Sequence, residues 1–346
     1  MHRRALLASP LAAPLLATRV QAQGGPSLVT EEFMVPARDA GIELFVRNKR
    51  PESLTSFAPA RSLLFIHGAT YPAHTSFDLP LGGVSWMDYI AGRGFDVWCM
   101  DLRGYGRSTR PPEMARPANE SQPIVRGDVA VADLAAVAAF IREKRGVPRL
   151  THMSWSWGTA LTGRFAADNP NLVERAVLYA PIWDRTTPSP IQAGAELGAY
   201  RTVTQAQARE RWMTGVPEAK RAALIPPGWF EHWAGVTWAT DPEGMRRNPQ
   251  VLRAPNGVLA DSREYWDVGR PFYDPAKITA PVLLVLAEWD RDTPPYMANT
   301  LFPLLVNSPG KRLVILGEGT HTIVMERNRG ALFQVVQAFL EESAPA

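Results

Sequence analysis

The run Arg149-Leu150-Thr151-His152-Met153-Ser154-Trp155-Ser156-Trp157-Gly158 decides how this chain folds. It begins as a short apolar stretch. It continues into Thr159-Ala160-Leu161-Thr162-Gly163-Arg164-Phe165, a helix-like run. Between the two lies small-x-Ser-x-Gly, the pattern of a sharp strand-to-helix turn that lifts a serine above a sheet. The turn is tight enough that the residues two before and two after the serine must be small, and here they are Ser154 and Gly158. The helix that follows aims unpaired N–H groups at whatever the serine attacks. Ser154 is the weaker candidate, because its own small-residue position is held by His152.

Working outward, 29–35 and 42–47 flank the turn Asp39-Ala40-Gly41 and predict an antiparallel hairpin. Short non-alternating apolar runs at 62–66, 95–100, 150–153, 176–179, 281–287 and 312–316 predict buried strands. Helical patterns fall at 84–93, 129–144, 159–168 and 332–342. Strands alternating with helices imply an α/β fold with a mainly parallel sheet covered on both faces. From 183 to 274 the alternation stops. That stretch carries Trp212, Trp229, Trp233, Trp238 and Trp266, and reads as a helical cap inserted between late strands. Most of these tryptophans are expected to pack the cap onto the core, with the remainder free to line a pocket. The organisation is a signal peptide at 1–22, a core at 23–182 and 275–346, and a cap at 183–274.

Met1-His2-Arg3-Arg4 is a short basic segment, followed by an Ala- and Leu-rich run to Ala17 and the small-x-small site Val20-Gln21-Ala22. This predicts export, by the general or the twin-arginine route, to the periplasm or outside the cell. The apolar run is too short to span a bilayer, so no stable membrane span is expected after its removal. Arg3, Arg4 and Arg19 carry the whole formal net charge of +3, so the mature chain is neutral and shows no bias toward nucleic acid or anionic membranes. The single cysteine, Cys99, excludes an internal disulfide and a thiolate metal cluster, and its apolar surroundings predict a buried strand residue.

A serine hydroxyl needs a base with a pKa near neutrality, which points to histidine. Of six histidines, His321 lies in the Gly-rich stretch Gly317-Glu318-Gly319-Thr320-His321, after the last strand and before the closing helix. Such a loop can place an imidazole over the ends of the parallel strands, where open α/β sheets bind ligands. His152 reads as a packed strand residue. The histidine needs a carboxylate to fix its tautomer. The strand at 281–287 runs into Glu288-Trp289-Asp290-Arg291-Asp292, where Asp290 is the candidate and Asp292 the alternative. Glu288 is expected to pack or pair beside the site.

The order Ser156, Asp290, His321, each at a strand end, resembles the α/β-hydrolase family, and the resemblance covers nearly the whole mature chain outside the cap. His67-Gly68 after a strand and the turn Asp101-Leu102-Arg103-Gly104-Tyr105-Gly106-Arg107-Ser108 add to it. The resemblance implies an oxyanion hole formed by the N–H groups of Ala69 and Trp157. It implies that Asp101, Arg103 and Ser108 hold a loop. Ser154 and Ala287 stand where glycine is commoner in the family; both are small. The chain is also distantly similar to proline iminopeptidases, although His67-Gly68-Ala69-Thr70-Tyr71 departs from their His-Gly-Gly-Pro-Gly loop.

These readings predict a serine hydrolase acting on an ester or amide of a small, apolar or aromatic molecule, with Tyr71, His74 and Trp155 as substrate-binding candidates. No metal, nucleotide or flavin cofactor is required. A carbon–carbon bond hydrolase uses the same triad. An aminopeptidase would need an acid for the substrate ammonium, with Glu196, Glu210 and Glu231 as candidates. A ligand-binding protein on the same scaffold would bind without turnover. Oligomeric state is not encoded in any readable motif.

Overall fold

The computed structural model describes residues 16–21, 26–191 and 196–342. Among these described residues, the eleven strands are β1 (Leu16–Gln21), β2 (Ser27–Pro36), β3 (Glu43–Pro51), β4 (Ser62–Ile66), β5 (Asp96–Met100), β6 (Leu150–Trp155), β7 (Val173–Tyr179), β8 (Tyr200–Val203), β9 (Leu252–Pro255), β10 (Val282–Ala287) and β11 (Arg312–Leu316). Nine form one sheet in the order β1-β2-β3-β5-β4-β6-β7-β10-β11. The first three strands form antiparallel pairs, and β3 runs antiparallel to β5. From β5 to β11 every pairing is parallel. The hairpin expected around Asp39-Ala40-Gly41 is present as β2 and β3.

The expected signal peptide falls largely outside the described residues. Leu16–Gln21 pairs with β2 at the sheet edge, so cleavage after Ala22 would leave β2 as the edge.

Among the described residues, eleven α-helices accompany the strands. Those of the core are α1 (Ala73–Phe77), α2 (Trp86–Ala91), α3 (Gly127–Arg145), α4 (Trp157–Asp168), α10 (Pro295–Leu304) and α11 (Arg329–Glu341). Between β7 and β10 lie α5 (Gln205–Trp212), α6 (Glu218–Leu224), α7 (Trp229–Trp238), α8 (Pro242–Met245) and α9 (Gly257–Glu264). Alternate residues of β4 feed opposite faces of the sheet. Leu64 and Ile66 join one apolar cluster with Leu134, Val137 and Ile141 of α3; Leu63 and Phe65 join another with Trp86 and Ile90 of α2. In α3 the buried residues recur every three or four positions, which is why one stripe of the helix docks on the sheet. Burial on both faces explains why β4, β5, β6, β7 and β10 read as largely apolar runs, whereas β11, expected to be buried, lies at the sheet edge with only Leu316 buried. Each large apolar side chain contributes roughly 1.5–3 kcal/mol on burial.

The segment from 183 to 274 is less helical than expected. Its β8 and β9 form a two-stranded antiparallel ribbon. Each strand has four residues and they lie some fifty positions apart, too short and too distant for periodicity to reveal. Trp212, Trp233 and Trp238 are buried in the same cluster as α2 and α11, joined ring to ring and to Tyr71. They pack, as expected of most of these tryptophans.

The connections place His67 after β4, Ser156 after β6, Asp290 after β10 and His321 after β11. All four lie at the carboxyl edge of the parallel strands, and β4 and β6 flank the point where the strand order reverses.

Candidate active site

Ser156 sits between β6 and α4 with φ +57° and ψ −124°, a backbone conformation that costs a non-glycine residue about 1–3 kcal/mol. The strain is held by the surroundings. The Ser156 N–H donates to the Tyr179 carbonyl at 3.0 Å, and its own carbonyl accepts from the Thr159 N–H at 2.8 Å and from Thr159 Oγ1 at 2.5 Å. A Cβ at position 158 would lie 2.5 Å from the His67 carbonyl oxygen and 2.9 Å from that of Ile66, so only glycine lets the helix start this close to β4. Gly68 faces Ser156 as tightly, since a Cβ there would meet the serine Cβ at 3.0 Å. Ser154 is buried, and its hydroxyl donates to the Val177 carbonyl at 3.4 Å, away from any nucleophilic role.

His321 Nδ1 lies 2.8 Å from Asp290 Oδ2. Asp290 is fully buried and collects three further donors. The Asp292 and Thr293 N–H groups reach Oδ1 at 2.9 and 2.8 Å, and Thr293 Oγ1 reaches Oδ2 at 2.9 Å. A carboxylate so placed accepts from Nδ1–H and leaves Nε2 without a proton, as a base requires. The His321 carbonyl is fixed in turn by Trp155 Nε1 at 3.0 Å and the Tyr179 hydroxyl at 2.6 Å. Burial lowers the His321 pKa, but the Asp290 and Asp292 carboxylates outweigh it and the net shift is upward.

Asp292 serves a different partner. Its Oδ1 accepts from Nε and Nη2 of Arg211 on α5, at 2.8 and 2.5 Å. Asp290, Asp292 and His321 bring potential metal-ligand atoms within 4.8 Å of one another, but these atoms already serve the imidazole and the arginine.

The loop after β4 is fixed from three sides. The Leu102 N–H donates to His67 Nε2 at 3.0 Å, so Nδ1 carries the proton and donates to the Gly68 carbonyl at 2.7 Å. That carbonyl belongs to the peptide whose N–H is Ala69's. Burial lowers the His67 pKa to about 4, which keeps this neutral tautomer across the ordinary pH range. The Ala69 carbonyl accepts from Arg201 Nη2 at 2.6 Å and the Tyr105 hydroxyl at 3.0 Å. The Trp157 N–H opens α4, where no preceding turn supplies an acceptor. The Asp101 turn ties this region to the sheet. Asp101 accepts from the Ala73 N–H at 2.8 Å and the Arg107 N–H at 3.1 Å. Arg103 forks onto Asp133, and Ser108 donates to the Asp101 carbonyl while accepting from the Phe45 N–H.

A cavity of about 20 Å³ is lined by Gly68, Ala69, Tyr71, Trp155, Ser156, Arg211 and His321. A second, also about 20 Å³, lies between Ser156, Trp157, Ile182, Arg185, Arg211 and Asp292. Each holds roughly one water. A larger groove of about 500 Å³ shares Arg211 and Ile191 with the second. Tyr71 and Trp155, expected to bind substrate, line the first cavity with Ser156. His74 does not. Its Nδ1 lies 2.8 Å from Asp101 Oδ2 and its ring packs edge-on against Phe45, so it is a structural residue of the loop. Glu288 is exposed and accepts from the Glu318 N–H at 2.6 Å. Of the acids proposed for an ammonium, Glu231 pairs with Arg209 at 2.7 Å, Glu196 is exposed, and Glu210 lines only the outer groove.

Sequence reasoning did not find Thr293, Arg185, Arg201, Arg211 or Glu326. The Glu326 carboxylate receives Trp212 Nε1 at 2.6 Å and the Thr320 N–H at 3.0 Å, linking α5 to the residue before His321; burial pushes its pKa up to about 7.

A family profile described as "alpha/beta hydrolase fold" matches residues 61–328. The chain belongs to the α/β-hydrolase family. Membership makes it a hydrolase with a small-molecule substrate. Among solved structures it is similar to a serine hydrolase of Cycloclasticus zankles, with 13% identity, 90% of this chain and 98% of that one covered, and a TM-score of 0.59. It is also similar to the 2-hydroxy-6-oxo-6-phenylhexa-2,4-dienoate hydrolase of a Rhodococcus species, with 15% identity, 94% and 99% covered, and a TM-score of 0.58. A third is a thermophilic esterase of Thermogutta terrifontis, with 17% identity, 89% and 97% covered, and a TM-score of 0.53. At these identities the likeness is one of fold. No curated protein sequence matches the chain.

Proposed function

We propose that this α/β-hydrolase is an exported serine hydrolase that cleaves an ester or amide bond through an acyl-enzyme on Ser156. The observation that carries the reading is the strained Ser156 at the head of α4, sharing a cavity wall with an imidazole whose Nδ1 is tied to Asp290. Ser156 Oγ attacks the substrate carbonyl carbon and His321 Nε2 takes its proton. The N–H groups of Ala69 and Trp157 receive the developing oxyanion; removing one such donor typically costs roughly 100- to 1,000-fold in rate. Collapse expels the alcohol or amine, which leaves with the proton from His321. Water, deprotonated by the same imidazole, then releases the acid and restores the serine.

Residues 183–274 act as a cap. Arg185 and Arg211 come from this segment and line the cavities at Ser156, whose small size requires the cap to open for substrate. Export rests on the basic, apolar and small-residue pattern of 1–22, and places the mature chain in the periplasm or outside the cell. The test is hydrolysis of uncharged 4-nitrophenyl esters by protein beginning at Gln23. Wild type should turn over repeatedly and Ser156→Ala should not; equal rates would reject the mechanism. An N-terminal peptide starting at Gln23 from exported protein would support the cleavage site, and retention of 1–22 would reject it.

A further inference from the structure

Arg185 is a charged side chain in the wall beside the candidate nucleophile, and its donors are incompletely used. It is 9% exposed. Its Nη2 donates to the Asp292 carbonyl at 2.6 Å. Nε lies 3.7 Å from Asp267 Oδ1, beyond hydrogen-bond reach, and neither Nε nor Nη1 has a hydrogen-bond partner among the described residues. A buried guanidinium in that state forfeits interactions that a solvated one keeps, so such groups call for an explanation. Burial also lowers its pKa, with Tyr296 and the Asp267, Asp292 and Asp290 carboxylates pulling the other way.

Two guanidiniums and one carboxylate line this cavity. Arg185 and Arg211 line the cavity with Ser156 and Trp157, and Arg201 lies against the Ala69 carbonyl. Facing them, Asp292 is taken by Arg211, Asp290 is committed to His321, Thr293 and the local backbone, and Asp267, 3.7 Å from Arg185 Nε, accepts from the Ser262 hydroxyl at 2.9 Å. The rest of the lining mixes apolar side chains, Ile182, Ile191, Val258 and Leu259, with the hydroxyls of Ser189, Ser262 and Thr293. A lining with apolar side chains and one undersatisfied arginine in the same cavity as the nucleophile suits a substrate with an apolar stem ending in an anion. A substrate ammonium, as an aminopeptidase needs, would face like charge.

We propose that Arg185, with Arg211 beside it, recognises a carboxylate carried by the substrate, so that this enzyme acts on anionic esters or amides such as half-esters of dicarboxylic acids. The proposal rests on Ser156 being the nucleophile and deepens that reading. A guanidinium–carboxylate contact in a water-poor pocket should favour the anionic substrate by roughly 10- to 100-fold in kcat/KM.

The experiment compares 4-nitrophenyl hydrogen adipate with its uncharged isostere 4-nitrophenyl 6-methylheptanoate, on wild type, Arg185→Met and Arg185→Lys. Adipate and adipamide are also tested for protection of Ser156 against an uncharged fluorophosphonate. Expected results are preference for the adipate ester, a fall of the adipate-to-neutral kcat/KM ratio toward one in Arg185→Met, and partial recovery of that ratio in Arg185→Lys. Adipate should protect wild type but not Arg185→Met, and adipamide should protect neither. Equal or better use of the neutral ester, or protection by adipamide equal to that by adipate, overturns the carboxylate site while leaving the serine mechanism standing. Failure of Ser156 to react with the fluorophosphonate overturns the mechanism and this inference with it.

Discussion

Asp290→Asn isolates what the carboxylate does for His321. In the native site Oδ1 accepts two backbone N–H groups, from Asp292 and Thr293, and Oδ2 faces Thr293 Oγ1 and His321 Nδ1. An amide has one acceptor end. Turning its NH2 toward the two backbone donors would set N–H against N–H at 2.8–2.9 Å, so the amide oxygen must stay there. The NH2 then occupies the Oδ2 position and donates to Nδ1. The imidazole proton moves to Nε2, where it blocks acceptance of the serine proton. A wrong tautomer of this kind lowers turnover about 10⁴-fold, or about 5.5 kcal/mol of barrier. The fold should be little affected, because both backbone hydrogen bonds survive. Asp290→Ala, by contrast, leaves the Asp292 and Thr293 N–H groups without acceptors, at about 1–3 kcal/mol each, and should be both inactive and less stable. The assay is ester kcat/KM and fluorophosphonate labelling rate alongside thermal unfolding. An asparagine variant within tenfold of wild type, or an alanine variant as stable as the asparagine one, would refute the reasoning.

Gly158→Ala places a Cβ against two backbone carbonyls that cannot swing aside, so stability should fall by about 1–3 kcal/mol or more and labelling of Ser156 should slow sharply; a variant matching wild type in both contradicts the elbow's packing. The kcat/KM profile should rise with pH through a limb centred above 6.5, because protonated His321 cannot act as base and its pKa is raised: burial lowers it, and the Asp290 and Asp292 carboxylates more than compensate. Asp292→Asn should move that limb to lower pH, since one carboxylate is gone and the Arg211 cation remains; an unmoved limb would sink the electrostatic account. By linkage, the proton on His321 stabilises the fold below its unfolded pKa, and this contribution fades as pH rises through the folded value.

The parts of the site legible in the sequence are those set by local chain geometry. Ser156 is marked by residues two away on either side, and Asp290 and His321 by their places just past apolar strands. The arginines were hidden because their meaning lies in distant partners. Arg211 is an exposed-looking helix residue until Asp292, 81 positions on, is seen beside it, and Arg201 reaches 132 positions back to the Ala69 carbonyl. His74 was misjudged for the same reason. Its loop position suggested access to substrate, but Asp101, 27 residues later, claims the ring. The ribbon of β8 and β9 escaped because four-residue strands have too few alternations to register, and because Arg253 within it is buried by pairing with Asp241.

The central claim is that Ser156 is an activated nucleophile. The most direct measurement is reaction of protein beginning at Gln23 with a fluorophosphonate, followed by mass mapping of the modified peptide in wild type, Ser156→Ala and Ser154→Ala. Both serines lie on one short peptide, so the variants decide between them. Modification abolished by Ser156→Ala and retained by Ser154→Ala, whose hydroxyl only contacts the Val177 carbonyl, is the predicted result. A folded wild type that does not react, or modification that persists in Ser156→Ala, would contradict it.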